Sequence, residues 1–200
     1  FDFHCSSAWP LISKHLTLTK NDIANLKRAE NQLNLTKTLK ARFVQISSNG
    51  EFTEGQLLLK RPGKLRLVYD SPNPLMIIAD GTYISFVDRD LDEATTLLLS
   101  LTQAAFLLQE KISFFSNNLI ITGYQQKPGF LKVSITKSDA PLEGKLTLIF
   151  SDTPLELRKW IITDSQGIVT TVSLLKSQLN IPIDKKIFLY KPKFKFNLHN

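Results

Sequence analysis

The sequence has little of the chemistry that enzymes and metal sites use. It contains one cysteine, Cys5, and three histidines, His4, His15 and His199, all near the ends of the chain. A single thiol cannot form an internal disulfide, and the residues before Cys5 lack the small and apolar side chains of a lipidation signal. A histidine-based triad or metal centre would require both termini to meet at one pocket. We therefore predict no catalytic residue and no metal site, and we interpret Cys5 as an idle thiol in a loose tail.

Motifs for cofactors and membrane spans are also missing. The sequence has no Gly-x-Gly-x-x-Gly and no Gly-x4-Gly-Lys-Ser/Thr element, which argues against a nucleotide cofactor. No apolar run approaches the ~20 residues that span a bilayer. The acidic run Asp88–Glu93 has a glutamate where a calcium loop of the EF-hand type needs glycine, so we predict an acidic turn. The sequence starts at Phe1 rather than Met, and we expect that a targeting segment has been removed.

The residues that are present favour one domain with a basic surface. Apolar residues make up 42% of the 200 residues, and the net charge is +7. A basic balance favours anionic partners such as nucleic acid, membrane surfaces or acidic protein faces. Lys191, Lys193 and Lys195 alternate with aromatic residues near the C-terminus, which fits either a terminal strand with a lysine face or a segment that touches RNA or an anionic membrane. We predict a tail or strap at 1–17, one domain at 18–192 and a basic tail at 193–200.

One amphipathic helix is predicted near the N-terminus. Thr19 followed by Asp22 has the spacing of a capping box, and the pattern after it predicts a helix from about residue 20 to 36. Its single apolar stripe should lie across another apolar surface. The stripe comprises Ile23, Leu26 and Leu33, and the solvent face comprises Asp22, Lys27, Arg28 and Glu30.

Most of the remaining chain has the period-two pattern of β-strands. Runs of alternating apolar residues are separated by glycine-containing turns, which is typical of an antiparallel meander. We count ten or eleven strands in one sheet. Residues 102–109 form a very apolar stretch without β-branched residues after Thr102, which predicts a short helix. Strands are predicted at 39–46, 52–60, 65–70, 75–79, 83–88, 119–125, 130–136, 145–151, 155–164, 168–176 and 186–190.

The stretch from Gly55 to Pro72 predicts a hairpin with one charged residue on its apolar face. Pro62 and Gly63 suit the second and third positions of a tight turn. Alternation places Leu57, Leu59 and Arg61 on one face of the first strand. Leu65, Leu67 and Tyr69 share a face of the second strand. If both faces line one interior, Arg61 is a guanidinium at the rim of a concavity walled by leucines.

Three segments, in order, resemble the LolA family of periplasmic outer-membrane lipoprotein carrier proteins. Residues 41–45, Ala-Arg-Phe-Val-Gln, resemble the family's Phe-x-Gln strand, and residues 55–72 resemble its Arg-Pro-Gly hairpin signature. Asp80-Gly81 and the later run from Asp88 to Thr95, which contains the acidic turn and Ala-Thr, resemble the strand and turn that come next in the family. Leu65 and Leu67 stand where the family has aromatic residues, and Ser85 and Val87 replace a Trp and a Tyr, which bears on cargo preference. The segment at 102–109 lacks the family's proline.

The resemblance implies an α+β fold, an incomplete antiparallel β-barrel whose helices form a lid over the concave face. It implies a soluble periplasmic carrier, monomeric and without cofactor, that takes lipoprotein acyl chains from an inner-membrane lipoprotein-releasing transporter to an outer-membrane receptor or membrane surface. Arg61 is then the lid lock, bonded to helix carbonyls. The acyl-cavity lining is Leu57, Leu59, Leu65, Leu67 and Tyr69, and the lid residues are Ile23, Leu26, Leu33, Phe106, Leu107 and Leu108.

Other interpretations stay open at the level of the sequence. The leucines could form a fully packed core instead of a cavity. A basic β-domain that binds nucleic acid is the alternative from another class, and salt-dependent retention on DNA would identify it. The same half-barrel also occurs in lipoprotein sensors, which carry a second C-terminal domain. It occurs too in lipoprotein receptors, which carry a lipidated N-terminal cysteine.

Overall fold

Eleven antiparallel strands form one sheet in the computed structural model, which describes residues 16–190. The predicted N-terminal tail with Cys5, the three histidines and the C-terminal lysines therefore lie outside the described residues, apart from residues 16 and 17. The two α-helices are α1 (Lys20–Leu35) and α2 (Ala104–Leu108). The strands are β1 (Thr38–Ser47), β2 (Phe52–Lys60), β3 (Lys64–Tyr69), β4 (Leu75–Asp80), β5 (Tyr83–Asp88), β6 (Glu93–Leu98), β7 (Leu119–Lys127), β8 (Phe130–Lys137), β9 (Gly144–Asp152), β10 (Leu155–Asp164) and β11 (Val169–Leu179).

The order of the strands makes the sheet an open barrel. It runs β6-β5-β4-β3-β2-β1-β11-β10-β9-β8-β7, so two meanders join where β1 pairs with β11. The edge strands β6 and β7 do not pair with each other. The prediction of a half-open antiparallel barrel of ten or eleven strands is thus confirmed.

Helix α1 begins with the predicted capping box. The Thr19 hydroxyl accepts from the backbone N–H of Asp22, and the Asp22 carboxylate accepts from the backbone N–H of Thr19 at 2.9 Å. Leu26 and Leu33 are buried, whereas Ile23 is 37% exposed at the margin of the stripe. These contacts fix where the helix starts and which face it buries.

The prediction that Glu30 lies on the solvent face of α1 is wrong. Glu30 is only 6% exposed, and one carboxylate oxygen accepts from the backbone N–H of Phe114 and the hydroxyl of Ser113, both at 3.0 Å. A buried carboxylate is tolerated when hydrogen bonds satisfy it. The helical pattern could not reveal these donors, because they lie more than eighty residues away in the chain.

The inner face of the sheet carries the hydrophobic core. Phe43, Leu57 and Leu148 are fully buried, and Leu57 lies opposite Leu67 across the β2–β3 ladder. Gly55 is needed in this ladder, because a Cβ there would lie 2.7 Å from the ring of Phe43 and still closer to a backbone oxygen of β3. The glycine that opens the hairpin motif therefore makes room for an aromatic ring.

Two predicted elements differ from the structure. Strand β6 was not predicted because all six of its residues are exposed at the sheet edge, so they carry no apolar alternation. The strand predicted at 186–190 is instead a 3₁₀ turn at Lys185–Phe188, whose first turn is capped by the carboxylate of Asp184.

The segment around this 3₁₀ turn crosses the outer face of the sheet. Lys60 and Arg66 donate to the carbonyls of Ile183 and Ile187 at 2.6 and 2.8 Å. Phe188 is fully buried beneath the segment. No helix within residues 16–190 combines the length and the apolarity that crossing a membrane requires.

Candidate ligand-binding cavity

A cavity of about 400 Å³ lies on the concave side of the sheet. Both halves of the sheet and the segment that precedes β7 contribute to its wall, which is largely aliphatic and aromatic. The lining residues are Gln45, Leu59, Leu65, Leu67, Tyr69, Leu75, Ile77, Ile84, Phe86, Thr102, Gln103, Ala104, Leu107, Leu108, Leu146, Trp160, Ile162, Thr170 and Val172.

Four of the five residues predicted to line a cavity do so. Leu59, Leu65, Leu67 and Tyr69 contribute to the wall. Leu57 does not, because its side chain is completely buried in the core and has no surface left to present. The alternation of the hairpin identified the correct face, but not the depth at which each residue lies.

The far wall was not predicted. Leu146, Trp160, Ile162 and Val172 come from β9, β10 and β11, which face β3 across the concavity. Alternation within β10 and β11 was visible in the sequence. What the sequence did not show is that β1 pairs with β11, the contact that brings the two halves of the chain around one space.

The segment at residues 99–109, which we call the lid, forms part of the wall of this cavity. It consists of a 3₁₀ turn at Leu99–Leu101 followed by α2. Leu107 and Leu108 line the cavity, whereas Phe106 points to the other side and stacks on Phe114 with ring centroids 5.6 Å apart. The predicted short helix is therefore present, with one apolar face on the cavity and one against the neighbouring segment.

Helix α1 does not roof the cavity, contrary to expectation. No residue of α1 lines it; the helix packs against β10, and Leu33 borders only a void of about 30 Å³ beside Arg61 and Leu107. Leu26 and Leu33 belong to the core, and Ile23 lies at its exposed margin.

Arg61 connects the β2–β3 turn to the ends of both helices. Its Nε donates to the carbonyl of Leu107 at 2.7 Å, and its Nη1 donates to the carbonyls of Leu33 and Thr36, the latter at 3.2 Å. Burial lowers the pKa of the guanidinium to about 10, so Arg61 is still charged at neutral pH. Carbonyls at the C-terminal end of a helix carry partial negative charge, and they supply the counterpart of this cation.

Further hydrogen bonds attach the lid to both halves of the sheet, and one of them joins the backbone N–H of Leu99 to the carbonyl of Thr82 at 2.9 Å. The backbone N–H of Gly63 donates to the carbonyl of Leu108 at 2.8 Å. On the opposite wing, the ammonium of Lys137 donates to the carbonyl of Ser100 at 2.8 Å. The lid thus bridges strands that lie far apart in the sheet order.

The segment that follows the lid is fixed to α1. Asn34 makes two hydrogen bonds with the backbone of Ile112, donating to its carbonyl at 2.9 Å and accepting from its N–H at 2.8 Å. Together with the bonds of Glu30, these contacts hold residues 112–114. No pattern in the sequence indicated this attachment.

Few polar groups reach the cavity. Tyr69 donates to the Oε1 of Gln45 at 2.7 Å, and burial raises the pKa of the Tyr69 phenol to about 12, so it is neutral. Within residues 16–190, no three His, Cys, Asp or Glu side chains are close enough to hold a metal ion. A mostly apolar cavity of this size falls in the range of about 300–1,000 Å³ that suits an apolar ligand.

Sequence comparisons identify a family and related proteins. The sequence model of the family described as outer membrane lipoprotein carrier protein LolA matches residues 34–191. An outer-membrane lipoprotein carrier protein of Pseudomonas aeruginosa is 32% identical over 179 residues, which cover 85% of each chain. The protein of the same description from Azotobacter vinelandii is 29% identical over 185 residues, 88% of each chain. The crystal structure of a LolA superfamily protein from Nitrosomonas europaea aligns with a TM-score of 0.49 at 12% identity, covering 87% of this chain and 99% of the other.

Proposed function

Because this chain belongs to the LolA family of outer membrane lipoprotein carrier proteins, we propose that its cavity binds the acyl chains of lipoproteins. We further propose that the protein works in the periplasm as a monomer and carries this cargo from the inner to the outer membrane. Donor and acceptor are then an inner-membrane lipoprotein-releasing transporter and an outer-membrane receptor or membrane surface.

The cavity under the lid is the observation that carries the proposal. Exposing an acyl chain to water costs about 0.8 kcal/mol per methylene, on the order of 10 kcal/mol for a whole chain. A carrier must therefore supply an apolar enclosure during transit and give it up at the destination. The wall of leucine, isoleucine and aromatic side chains supplies the enclosure, and a lid held by a few hydrogen bonds supplies the means to open it.

We assign Arg61 as the lock of the lid and Leu107 and Leu108 as its cargo-facing residues, with Phe106 anchoring the lid to Phe114. In this scheme α2 moves, whereas α1 with Leu26 and Leu33 is the fixed support against which Arg61 closes. We assign this function to the single domain predicted at residues 18–192. The net charge of +7 favours encounters with anionic membrane surfaces.

Binding of a fluorescent long-chain fatty acid tests the proposal. The wild-type protein should bind this probe, and Ile162→Trp, which fills the cavity from β10, should weaken binding at least tenfold. The matched control is Leu175→Trp, which places the same bulk at an exposed position of β11. Thermal unfolding of both variants verifies that they fold.

Equal probe affinity in wild type, Ile162→Trp and Leu175→Trp would show that the probe binds elsewhere. The same result would make the concave space a packing defect rather than a cargo site.

A further inference from the structure

A second cleft of about 270 Å³ lies beside the main cavity, between the lid and the ends of β7, β8 and β9. Its lining differs in character, because hydroxyl and amide side chains alternate with apolar ones. The polar contributors from the lid and the segment before β7 are Ser100, Thr102, Gln103, Gln109 and Asn118.

The two spaces are neighbours that share part of their walls. Thr102, Gln103 and Leu146 line both of them. Gly144 makes room for Gln103 at this seam, because a Cβ on Gly144 would lie 2.7 Å from the Gln103 amide nitrogen and 2.9 Å from a backbone oxygen of Thr163. The partition is therefore one turn of the lid, and its movement would join the apolar cavity to the polar cleft.

The amide groups of the cleft are unused by the described part of the fold. The side chains of Gln103, Gln109 and Asn118 make no hydrogen bond with any residue between 16 and 190, so each offers an N–H donor and a carbonyl acceptor. Thr136, which also borders the cleft, is 6% exposed, and its hydroxyl has no partner among the same residues.

Charge in the cleft does not select an ion. Lys137 already donates to the carbonyl of Ser100, and Asp139 contributes a carboxylate to the same cleft. Opposite charges in one small space give no net preference for an anion. Neutral hydrogen-bonding groups on a ligand match the unpaired amides better than a phosphate or carboxylate does.

We propose that this cleft binds the neutral polar end of the acylated ligand, its ester and amide carbonyl groups, while the hydrocarbon lies in the main cavity. The inference rests on the proposed function, since it locates the head of the molecule whose chains the cavity takes. Gln109 and Asn118 donate to the carbonyls of the head, and Gln103 lies at the boundary between head and chain. Such carbonyls occur both in the acylated cysteine of a lipoprotein and in the glyceryl esters of a phospholipid.

The test compares three probes on one pair of variants. The probes are a synthetic diacylglyceryl-cysteine lipopeptide, a phosphatidylglycerol with the same acyl chains, and the free fatty acid. Gln109→Leu/Asn118→Leu removes amides of the cleft with little change in volume, and Gln178→Leu on the exposed outer part of β11 is the control. The loss of two hydrogen bonds should weaken lipopeptide binding about tenfold and leave fatty-acid binding unchanged. Gln178→Leu should bind all three probes as the wild type does.

The pattern across probes decides the outcome. A loss for the lipopeptide alone assigns the cleft to peptide amides, and an equal loss for phosphatidylglycerol assigns it to glyceryl esters; both support the proposal. Unchanged lipopeptide affinity, or equal weakening of all three probes, overturns it. Wild-type protein that fails to bind the fatty acid would count against the proposed cavity function instead, and Gln109→Leu alone serves if the double variant does not fold.

Discussion

At the scale of single residues, Arg61 is the most informative side chain. A guanidinium removed from water is costly unless hydrogen bonds compensate for the loss of water, and here the carbonyls of Leu33, Thr36 and Leu107 accept from its Nε and Nη1. No carboxylate within residues 16–190 forms an ion pair with it. Leu33 and Thr36 belong to the end of α1, and Leu107 belongs to the lid, so one of these bonds depends on the position of the lid.

Arg61→Leu should therefore release the lid while leaving the fold intact. Opening the lid breaks the bond from Arg61 to Leu107, and a hydrogen bond from a charged group contributes about 1.5–3 kcal/mol, so its loss should raise the open population at least tenfold. Amide exchange of residues 104–108 should accelerate by a similar factor, whereas exchange in β2 and β8 stays unchanged.

Arg158→Leu is the control, because Arg158 forms a partly exposed ion pair with Glu156 and donates to the hydroxyl of Ser151 rather than to a helix carbonyl. Lid exchange that is the same in wild type, Arg61→Leu and Arg158→Leu, at equal global stability, would leave Arg61 as an ordinary turn residue. Arg61→Lys should give an intermediate result, since one ammonium cannot reach all three carbonyls.

Tyr69 makes stability depend on alkaline pH. Burial raises its phenol pKa from 10.0 to about 12, so the folded state holds this proton over a range in which the unfolded chain has lost it. The contribution is fully present below about pH 10 and disappears as the pH rises through about 12, and a shift of this size corresponds to roughly 2–3 kcal/mol. Tyr69→Phe should accordingly lose less unfolding free energy than wild type between about pH 9 and pH 11.

Urea denaturation at the two pH values measures this difference, with Tyr83→Phe, at an exposed position, as the control. If wild type and Tyr69→Phe lost stability in parallel, the phenol would have to titrate alike in the folded and unfolded states.

At the scale of elements, α1 holds in place the segment that follows the lid. Asn34 binds both backbone groups of Ile112, and Glu30 binds the next two residues. These bonds fix residues 112–114, so the freedom of the lid ends before Ile112. In the proposed scheme, the moving segment therefore ends at Gln109.

Asn34→Ala should loosen this support. Two buried backbone groups of Ile112 would lose their partners, at a cost of about 1–3 kcal/mol in the free energy of unfolding. Amide exchange at residues 112–114 should rise while the Arg61 contacts persist. Asn31→Ala on the exposed side of the same helix is the matched control. Equal stability of the two variants in chemical denaturation would mean that the bonds to Ile112 contribute nothing to the free energy of unfolding.

Elements were predictable where their signal is local. The capping box of α1 and the turns of the hairpins depend on neighbouring residues, and both appear where the sequence placed them. Strand β6 and the 3₁₀ turn at Lys185–Phe188 were missed because their form depends on position in the sheet. An edge strand needs no apolar alternation, and the 3₁₀ segment is shaped by donors from Lys60 and Arg66 on distant strands.

At the scale of the whole molecule, the same distinction explains the candidate site. Leu59, Leu65, Leu67 and Tyr69 were found from one hairpin, because alternation alone assigns them to one face. Trp160, Ile162 and Val172 were not, since only the pairing of β1 with β11 brings their strands opposite that hairpin. Sequence patterns specify faces, and long-range pairing decides which faces meet.

A cavity that takes hydrocarbon should respond to the length of the chain offered to it. Each added methylene contributes about 0.8 kcal/mol, so two more should tighten binding of an alkyl maltoside by roughly tenfold. The gain should stop once the space of about 400 Å³ is filled, which distinguishes a bounded cavity from an apolar surface.

Ligand present at about a hundred times its Kd should raise the free energy of unfolding by about 2.7 kcal/mol, because only the folded state binds it. Thermal unfolding against a series of alkyl maltosides measures both effects, with maltose as the control. Equal shifts for short and long chains would be incompatible with a cavity for acyl groups.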